Sequence, residues 1–202
     1  MVSTMQRLVA AAGLAVLVAL SWYPRPGNAS GYDWLQFDGD AQHSGNNTQE
    51  TRLTPNNVSS LQQVFRDTLS SYQAGTADST PVYLGGVSTP GGTKDLLFLT
   101  TKDGHILALD AHAHTTAAVW SHGFGGSCTS SNGSPCITTS SPAIDPNRQS
   151  VYSYGLDGSI HKYQVGDGTE ITGNGWPELA TNKPTVEKSS PALSIATTGS
   201  GT

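Results

Sequence analysis

The chain has 202 residues, among them 23 glycines and 11 prolines, with only 12% charged residues and a formal net charge of −5. Ser, Thr and Asn fill the gaps between short apolar runs. That is the composition of a turn-rich all-β protein, and it excludes a helical bundle or a disordered polar chain. No cluster of Lys and Arg is present to meet a phosphate backbone, so the sequence argues against nucleic acid as a partner.

The N-terminus comes first in chain order. Arg7 is followed by an uninterrupted run of Leu, Val, Ala and Gly from Leu8 to Leu20, and then by the small residues Gly27-Asn28-Ala29-Ser30. This is the order of a secretory signal peptide, cleaved near Ala29 or Ser30. An apolar run of thirteen to sixteen residues is shorter than the roughly 20 that span a bilayer. No cysteine lies near the cleavage region, which argues against a lipid anchor. Residues 1–30 are therefore read as a signal peptide, and the mature chain as secreted or periplasmic with no membrane span. Loss of Arg7 and Arg25 leaves eight basic against fifteen acidic residues, a net charge of −7.

Residues 31–69 form an N-terminal tail. Tyr32, Trp34 and the nearby Phe37 predict a short strand, and Asp38-Gly39-Asp40 a turn. Thr54 precedes Pro55 as an N-cap precedes a first-turn proline, which predicts a capped helical turn from Leu53 to Leu61. Val64-Phe65-Arg66 reads as the last strand of a blade, with Phe65 in the place that Trp120 and Trp176 hold further on.

The rest of the chain is a repeat. In residues 79–122, Leu96 to Leu99 is a strand-forming run, Asp103-Gly104 predicts a two-residue hairpin loop, Ile106 to Leu109 is a second strand, and Val119-Trp120 opens a third. In residues 140–177, Val151 to Tyr154 matches the first run, and Asp157-Gly158 repeats Asp103-Gly104 at a spacing of 54. Ile160 to Tyr163 matches Ile106 to Leu109, and Trp176 follows Trp120 at a spacing of 56. Each copy opens on a small hydroxyl residue and proline, Thr80-Pro81-Val82 and then Ser141-Pro142-Ala143; a third opening, Ser190-Pro191-Ala192-Leu193, begins a copy over 189–202. A period in the fifties with about four short strands per unit predicts a radial β array, of which the propeller is the commonest closed form. Two to three blades cannot close a ring of at least four, so the chain reads as an N-terminal portion whose first partners are missing C-terminal blades. Phe65, Trp120 and Trp176 are read as residues of repeat packing.

DWLQFDGDAQHSGNN, ETRLTPNNVSSLQQVF, TTKDGHILALDA and SSPAIDPNRQSVYSYGLDGSIHKY together resemble the pyrroloquinoline-quinone (PQQ) repeat family, from about Tyr32 to Leu193. The resemblance implies a quinoprotein-like propeller, eight-bladed when complete, as in the quinoprotein alcohol dehydrogenases and their non-catalytic relatives. One departure is that His114-Thr115-Thr116 lacks the glycine such repeats usually carry before the tryptophan strand, whereas Gly168-Thr169-Glu170 keeps one.

Candidate chemistry is sparse. Cys128 and Cys136, the only cysteines, lie eight apart in a Ser/Gly-rich connection and are expected to form a disulfide, which an exported protein permits. A redox or metal role is the alternative. The adjacent-cysteine disulfide of the PQQ dehydrogenases does not match this spacing. His105, His112, His114 and His122 fall within eighteen residues, and His112 with His114 could share one side of an extended segment around a metal, but no further ligand is evident. Asp103 and Asp157 are candidates for a ligand site at a channel mouth, although an Asp-Gly pair is ordinarily there for its turn. Trp34, Trp120 and Trp176 could stack on a flat cofactor. Asn46, Asn57 and Asn132 head glycosylation sequons.

Two readings follow. One is a binding or scaffold module that holds a protein or glycan. The other is the N-terminal part of a dehydrogenase that uses PQQ and Ca²⁺ to oxidise an alcohol or sugar; a calcium site would need several converging oxygen ligands, and no cofactor can be assigned to particular residues. In either case the Asp-Gly hairpins and the Cys128–Cys136 loop are expected on one face. In isolation the open blade flanks predict aggregation or marginal stability.

Overall fold

The protein is described by a computed structural model covering residues 32–66, 69, 76–113, 117–123 and 128–196. The signal-peptide reading over residues 1–30 lies outside these, as do His114 and the last six residues.

The strands are β1 (Val82–Thr89), β2 (Gly92–Thr100), β3 (Ile106–Asp110), β4 (Trp120–His122), β5 (Ala143–Ile144), β6 (Ser150–Tyr154), β7 (Ser159–Gln164) and β8 (Glu178–Leu179). They form two four-stranded antiparallel sheets in the orders β1-β2-β3-β4 and β5-β6-β7-β8. The all-β fold class holds, with no α-helix among the described residues and one 3₁₀ turn at Val58–Ser60. The two sheets do not close on themselves. β3 is an unbroken apolar run because Ile106, Leu107, Ala108 and Leu109 are all buried, so both of its faces are covered.

The hairpin turns differ from the expected two-residue form. Gly104 N–H donates to Thr101 O (2.9 Å), Thr101 N–H donates to His105 O (2.8 Å), and Gly104 has φ +83°. Asp103 is not left-handed, so the loop is a three-residue type I turn closed by a glycine bulge. The second copy repeats it 54 residues on: Gly158, at φ +92°, donates to Gly155 O (3.1 Å), and Gly155 N–H donates to Ser159 O (2.8 Å). Glycine is required there because a Cβ on Gly158 would lie 2.3 Å from Thr181 O.

The sheets meet over one core. Val82, Leu84, Leu96, Phe98 and Ile106 from the first pack with Ile144, Val151, Tyr163 and Val165 around the second. Trp120 sits in the joint, 8% exposed, with its indole N–H donating to Val165 O at 2.9 Å. Its ring lies 5.7 Å from Phe98 and 6.1 Å from Tyr163, tilted against both. Gly168, at φ +72°, presses directly on the indole.

The tail does not act as predicted. Trp34 exchanges two backbone hydrogen bonds with Tyr83 of β1 (2.9 and 2.8 Å), Leu35 O accepts from Ile144 N–H of β5 (2.7 Å), and the Gln36 amide exchanges hydrogen bonds with Ile195 (2.8 and 3.3 Å). Three successive residues thus tie together the openings of all three repeat copies. Val64-Phe65-Arg66 is not a strand; Val64 is 87% and Phe65 46% exposed. Trp34 occupies the edge of β1 at Tyr83. The predicted helical turn is present as the 3₁₀ turn at Val58–Ser60, but Thr54 does not cap it; Asn57 Oδ1 instead accepts from Thr54 N–H (2.7 Å) and Asn57 Nδ2 donates to Arg52 O (2.8 Å). The third opening is likewise not a strand, and joins the second through Leu193 N–H to Ser141 O (3.1 Å).

Alanine at Gly133, where φ is +84° and no atom lies within 4 Å, meets only the backbone cost of about 1–2 kcal/mol. Gly168→Ala adds overpacking against Trp120, where a Cβ would lie 2.6 Å from the ring, worth about 1–3 kcal/mol more. Urea melts of the two variants are expected to place Gly168→Ala well below Gly133→Ala; equal midpoints would show that the indole is not held against residue 168.

Candidate functional site

The Asp-Gly hairpins lie at one end of the sheets, and the long connection after β4 returns to that end. Thr138 N–H donates to Lys102 O (2.9 Å), which ties the connection to the first hairpin. Within it Cys128 and Cys136 are joined by a disulfide, with Cα atoms 5.2 Å apart and Cys136 N–H donating to Cys128 O at 2.9 Å. Both sulfurs lie 3.9 Å from Pro184 O. A disulfide has no S–H to donate, so this is a packing contact that rests the loop on the segment after β8. Ser131 N–H to Thr185 O (3.0 Å) fixes the same contact.

The two candidate aspartates are each committed to their own hairpin. Asp103 Oδ1 accepts from the Thr101 hydroxyl (2.6 Å), and its other oxygen lies 3.1 Å from His105 Nδ1, at an angle outside hydrogen-bond geometry. Asp157 Oδ1 accepts from Ser159 N–H (3.0 Å), and its carboxylate faces His161 Nε2 at 3.1 Å. His161 is 7% exposed, and its Nδ1 lies 2.6 Å from Glu170 Oε1. Only an imidazolium carries two N–H groups, so both contacts become donated hydrogen bonds when the ring is protonated. His122 stacks on Tyr163 at 5.0 Å and His161 lies parallel to the same ring at 6.2 Å. Burial pushes the Tyr163 hydroxyl far above the usual phenol range, with Glu170 and Asp157 adding to it. The histidines therefore divide between a hairpin, a carboxylate bridge and an aromatic stack. No group of three metal-ligating side chains converges among the described residues.

The tryptophans separate. Trp34 is in the strap and Trp120 in the joint between the sheets. Ile106 pairs with His122 and Ile160 with Glu178, so two residues back from each partner stand Trp120 and Trp176. The four-residue turn Gly173–Trp176, closed by hydrogen bonds of 2.9 and 3.0 Å, carries Trp176 outward. It packs 5.0 Å from Tyr152, as Trp120 does on Phe98, but on the outer flank of the second sheet and half-buried. Lys162 lies 5.5 Å over both rings. The Tyr152 hydroxyl is pushed up to about 12, by burial first and then by its hydrogen bond to Asp145 (3.0 Å).

Opposite the Asp-Gly end, sequence reasoning missed a set of polar groups. Arg148, at φ +66°, pairs with Asp33 of the strap and donates to Gly85 O. Asp95, 7% exposed, accepts from Gly86 N–H (2.7 Å) at the bulge of β1 and lies 2.8 Å from His112 Nε2. These contacts hold its carboxyl below the usual carboxylate range, the Gly86 bond contributing most and burial opposing it. Beside them a cleft of about 600 Å³ opens between the sheets, lined by Ser88, Arg148, Gln149, Gln164 and Asp167 among others. The only sequence signals were a lone Arg after Asp-Pro-Asn and a Gly-Asp-Gly run, neither of which carries a motif.

Among the described residues no three Asp, Glu, His or Cys side chains converge on a point where a calcium ion could sit. Asp103 and Asp157 are held by their turns, and the disulfide braces a loop against Pro184. The described residues do not fit a calcium and quinone pair.

No family model matches the chain, and no curated protein matches it. Among solved structures, quinohemoprotein alcohol dehydrogenase from Comamonas testosteroni is similar at a TM-score of 0.42 and 14% identity, over 73% of this chain and 20% of that one. The chain spans about a fifth of the length of that structure. No described helix is long and apolar enough to cross a membrane.

Asp95 gives the acid limb of stability its sign. A carboxyl held low in the folded state contributes fully above its unfolded value of about 4 and loses that contribution as pH falls through the lower folded value. Asp95→Asn is expected to lower stability at pH 7 by about 1–3 kcal/mol and to flatten the further loss below pH 4. Thermal melts from pH 7 to pH 2 check both, and an unchanged acid limb would show that Asp95 is not the group being titrated.

Proposed function

We propose that this chain is the N-terminal part of an exported, quinoprotein-like β-propeller that serves as a binding or scaffold module. The signal-peptide pattern and the tripled Ser/Thr-Pro opening support export and repetition. The carrying observation is the division of polar groups: the Asp-Gly carboxylates are tied into their own hairpins, whereas the cleft at the other end is lined by amides and a hydroxyl without protein partners among the described residues. Such groups bind; they do not by themselves move electrons or hydride.

The radial arrangement is supported by the flanks. Phe98, Ala108 and Trp120 line the flank of the first sheet that the second covers; Tyr152 and Lys162 occupy the same ladder positions on the second, with Trp176 packed on Tyr152 beside them. A flank built like a covered one implies a further blade upon it. In the complete protein Trp176→Ala should then cost about 3–5 kcal/mol, as large a loss as Trp120→Ala. A loss under about 1 kcal/mol in chemical denaturation would mean that no blade covers it.

The functional reading is tested by titrating the full-length exported protein with PQQ and Ca²⁺ in a calorimeter, alongside a dye-linked alcohol oxidation assay. Neither binding nor turnover is expected. Saturable PQQ binding with turnover would replace the module by a dehydrogenase whose ligands come from other blades.

A further inference from the structure

We infer that the cleft between the two sheets, at the end opposite the Asp-Gly hairpins, is a site for a neutral carbohydrate; this rests on the binding-module reading and names its ligand class. Its volume of about 600 Å³ falls in the range of small-molecule clefts, about 300–1,000 Å³. A second cleft of about 350 Å³ adjoins it across Thr89-Pro90 and Gly166-Asp167, residues that line both, so a short oligosaccharide has room to continue.

The lining chemistry selects the class. Gln149 and Gln164 present carboxamides, each with a donor pair and an acceptor, and Ser88 a hydroxyl; none of these side chains bonds to another described residue. Planar amides of this kind bridge neighbouring hydroxyls of a sugar ring, taking a proton from one and giving one to the next. Exposed Pro90 supplies apolar surface for the C–H face of a ring. Formal charge argues against an anion. Arg148 already faces Asp33, Lys94 of the adjoining cleft is paired with Asp110 (2.6 Å), and Asp167 remains an anionic acceptor, its carboxyl lowered by hydrogen bonds from Thr169. A phosphate or carboxylate would meet no unpaired positive charge and one negative neighbour.

The groups are also held in place. Arg148 N–H donates to Asp145 O (2.7 Å), and Gln149 N–H donates to Asn147 Oδ1 (2.9 Å), fixing the β5–β6 turn. Gln164 is bound by backbone to Thr169 (2.9 Å). Gly166 brings the second sheet against Ser88 O so closely that a Cβ would lie 2.4 Å away. The walls of the cleft therefore cannot separate or close without breaking the contact between the sheets.

The test uses the full-length protein and three neutral probes, maltotriose, cellotriose and triacetylchitotriose, with glucose 6-phosphate as an anionic control, in calorimetry and ¹H–¹⁵N spectra of the side-chain amides. At least one trisaccharide is expected to bind saturably and shift the Gln149 and Gln164 amide signals, the phosphate ester more weakly. Gln149→Ala with Gln164→Ala should weaken binding by roughly tenfold or more without changing the melting temperature, since both side chains are exposed and bond to no other described residue, whereas Asp157→Asn should leave binding unchanged. Equal affinity in the double variant, or tighter binding of the phosphate ester, overturns the inference. Failure of all three trisaccharides overturns it too. If PQQ then binds with turnover, the module reading falls with it; if PQQ does not bind, that reading stands and only the carbohydrate site is lost.

Discussion

The constraint on which the rest depends is the strap from Asp33 to Gln36. Four residues reach the first, second and third repeat openings through Tyr83, Ile144 and Ile195, and Asp33 adds the pair with Arg148. The ion pair is a minor part of this, since Arg148 is 45% exposed and pairs of that kind are worth about 0–1 kcal/mol. The backbone hydrogen bonds matter more, because they are directional. They fix the sequence of the openings along one edge and satisfy strand groups that would otherwise be unpaired.

With the inner edges set, the angle between the sheets is decided further out by Trp120. A large indole on the first sheet needs space on the second, and the second provides it where side chains are absent, at Gly168. Gly166 does the same for Ser88 O. The two glycines set how near the β7–β8 turn can come, and the cleft opens beside Gly166. Packing and binding surface thus arise from one spacing: where the sheets touch they touch through backbone, and where they part they expose the ends of Gln149 and Gln164.

Much of this fold was legible because it is repeated. Asp103-Gly104 and Asp157-Gly158 announce hairpins by composition, and the apolar runs beside them have strand length, so both sheets could be drawn from the sequence. The turn type could not, since a type I turn with a glycine bulge and a two-residue loop share the same dipeptide. The strap was misread because its partners lie far away in sequence: Trp34 pairs with Tyr83 and Gln36 with Ile195, and no local pattern encodes a bridge of that reach. The Val64-Phe65-Arg66 triplet has strand propensity but forms no strand here, because strand propensity counts only where a paired partner is present. The cleft was the least legible, because exposed Gln and Ser carry no spacing rule and acquire meaning only from the contact between sheets.

The two flanks show what the repeat conserves and what it leaves open to change. In the first sheet Ala108 lies between Phe98 and Trp120 in the ladder, and the indole can sink into a dry joint. In the second, Lys162 stands at that position, and its ammonium over Tyr152 and Trp176 holds both rings outward by an attraction of about 0.5–2 kcal/mol, larger as water is removed. A surface meeting this flank cannot copy the second sheet's approach to the first, because burying Lys162 without a partner would cost more than the rings return. It must bring a carboxylate or carbonyl to the ammonium. The substitution of one alanine by one lysine therefore makes the two flanks chemically distinct while their aromatic frame stays the same, so that what fits the first would be rejected by the second.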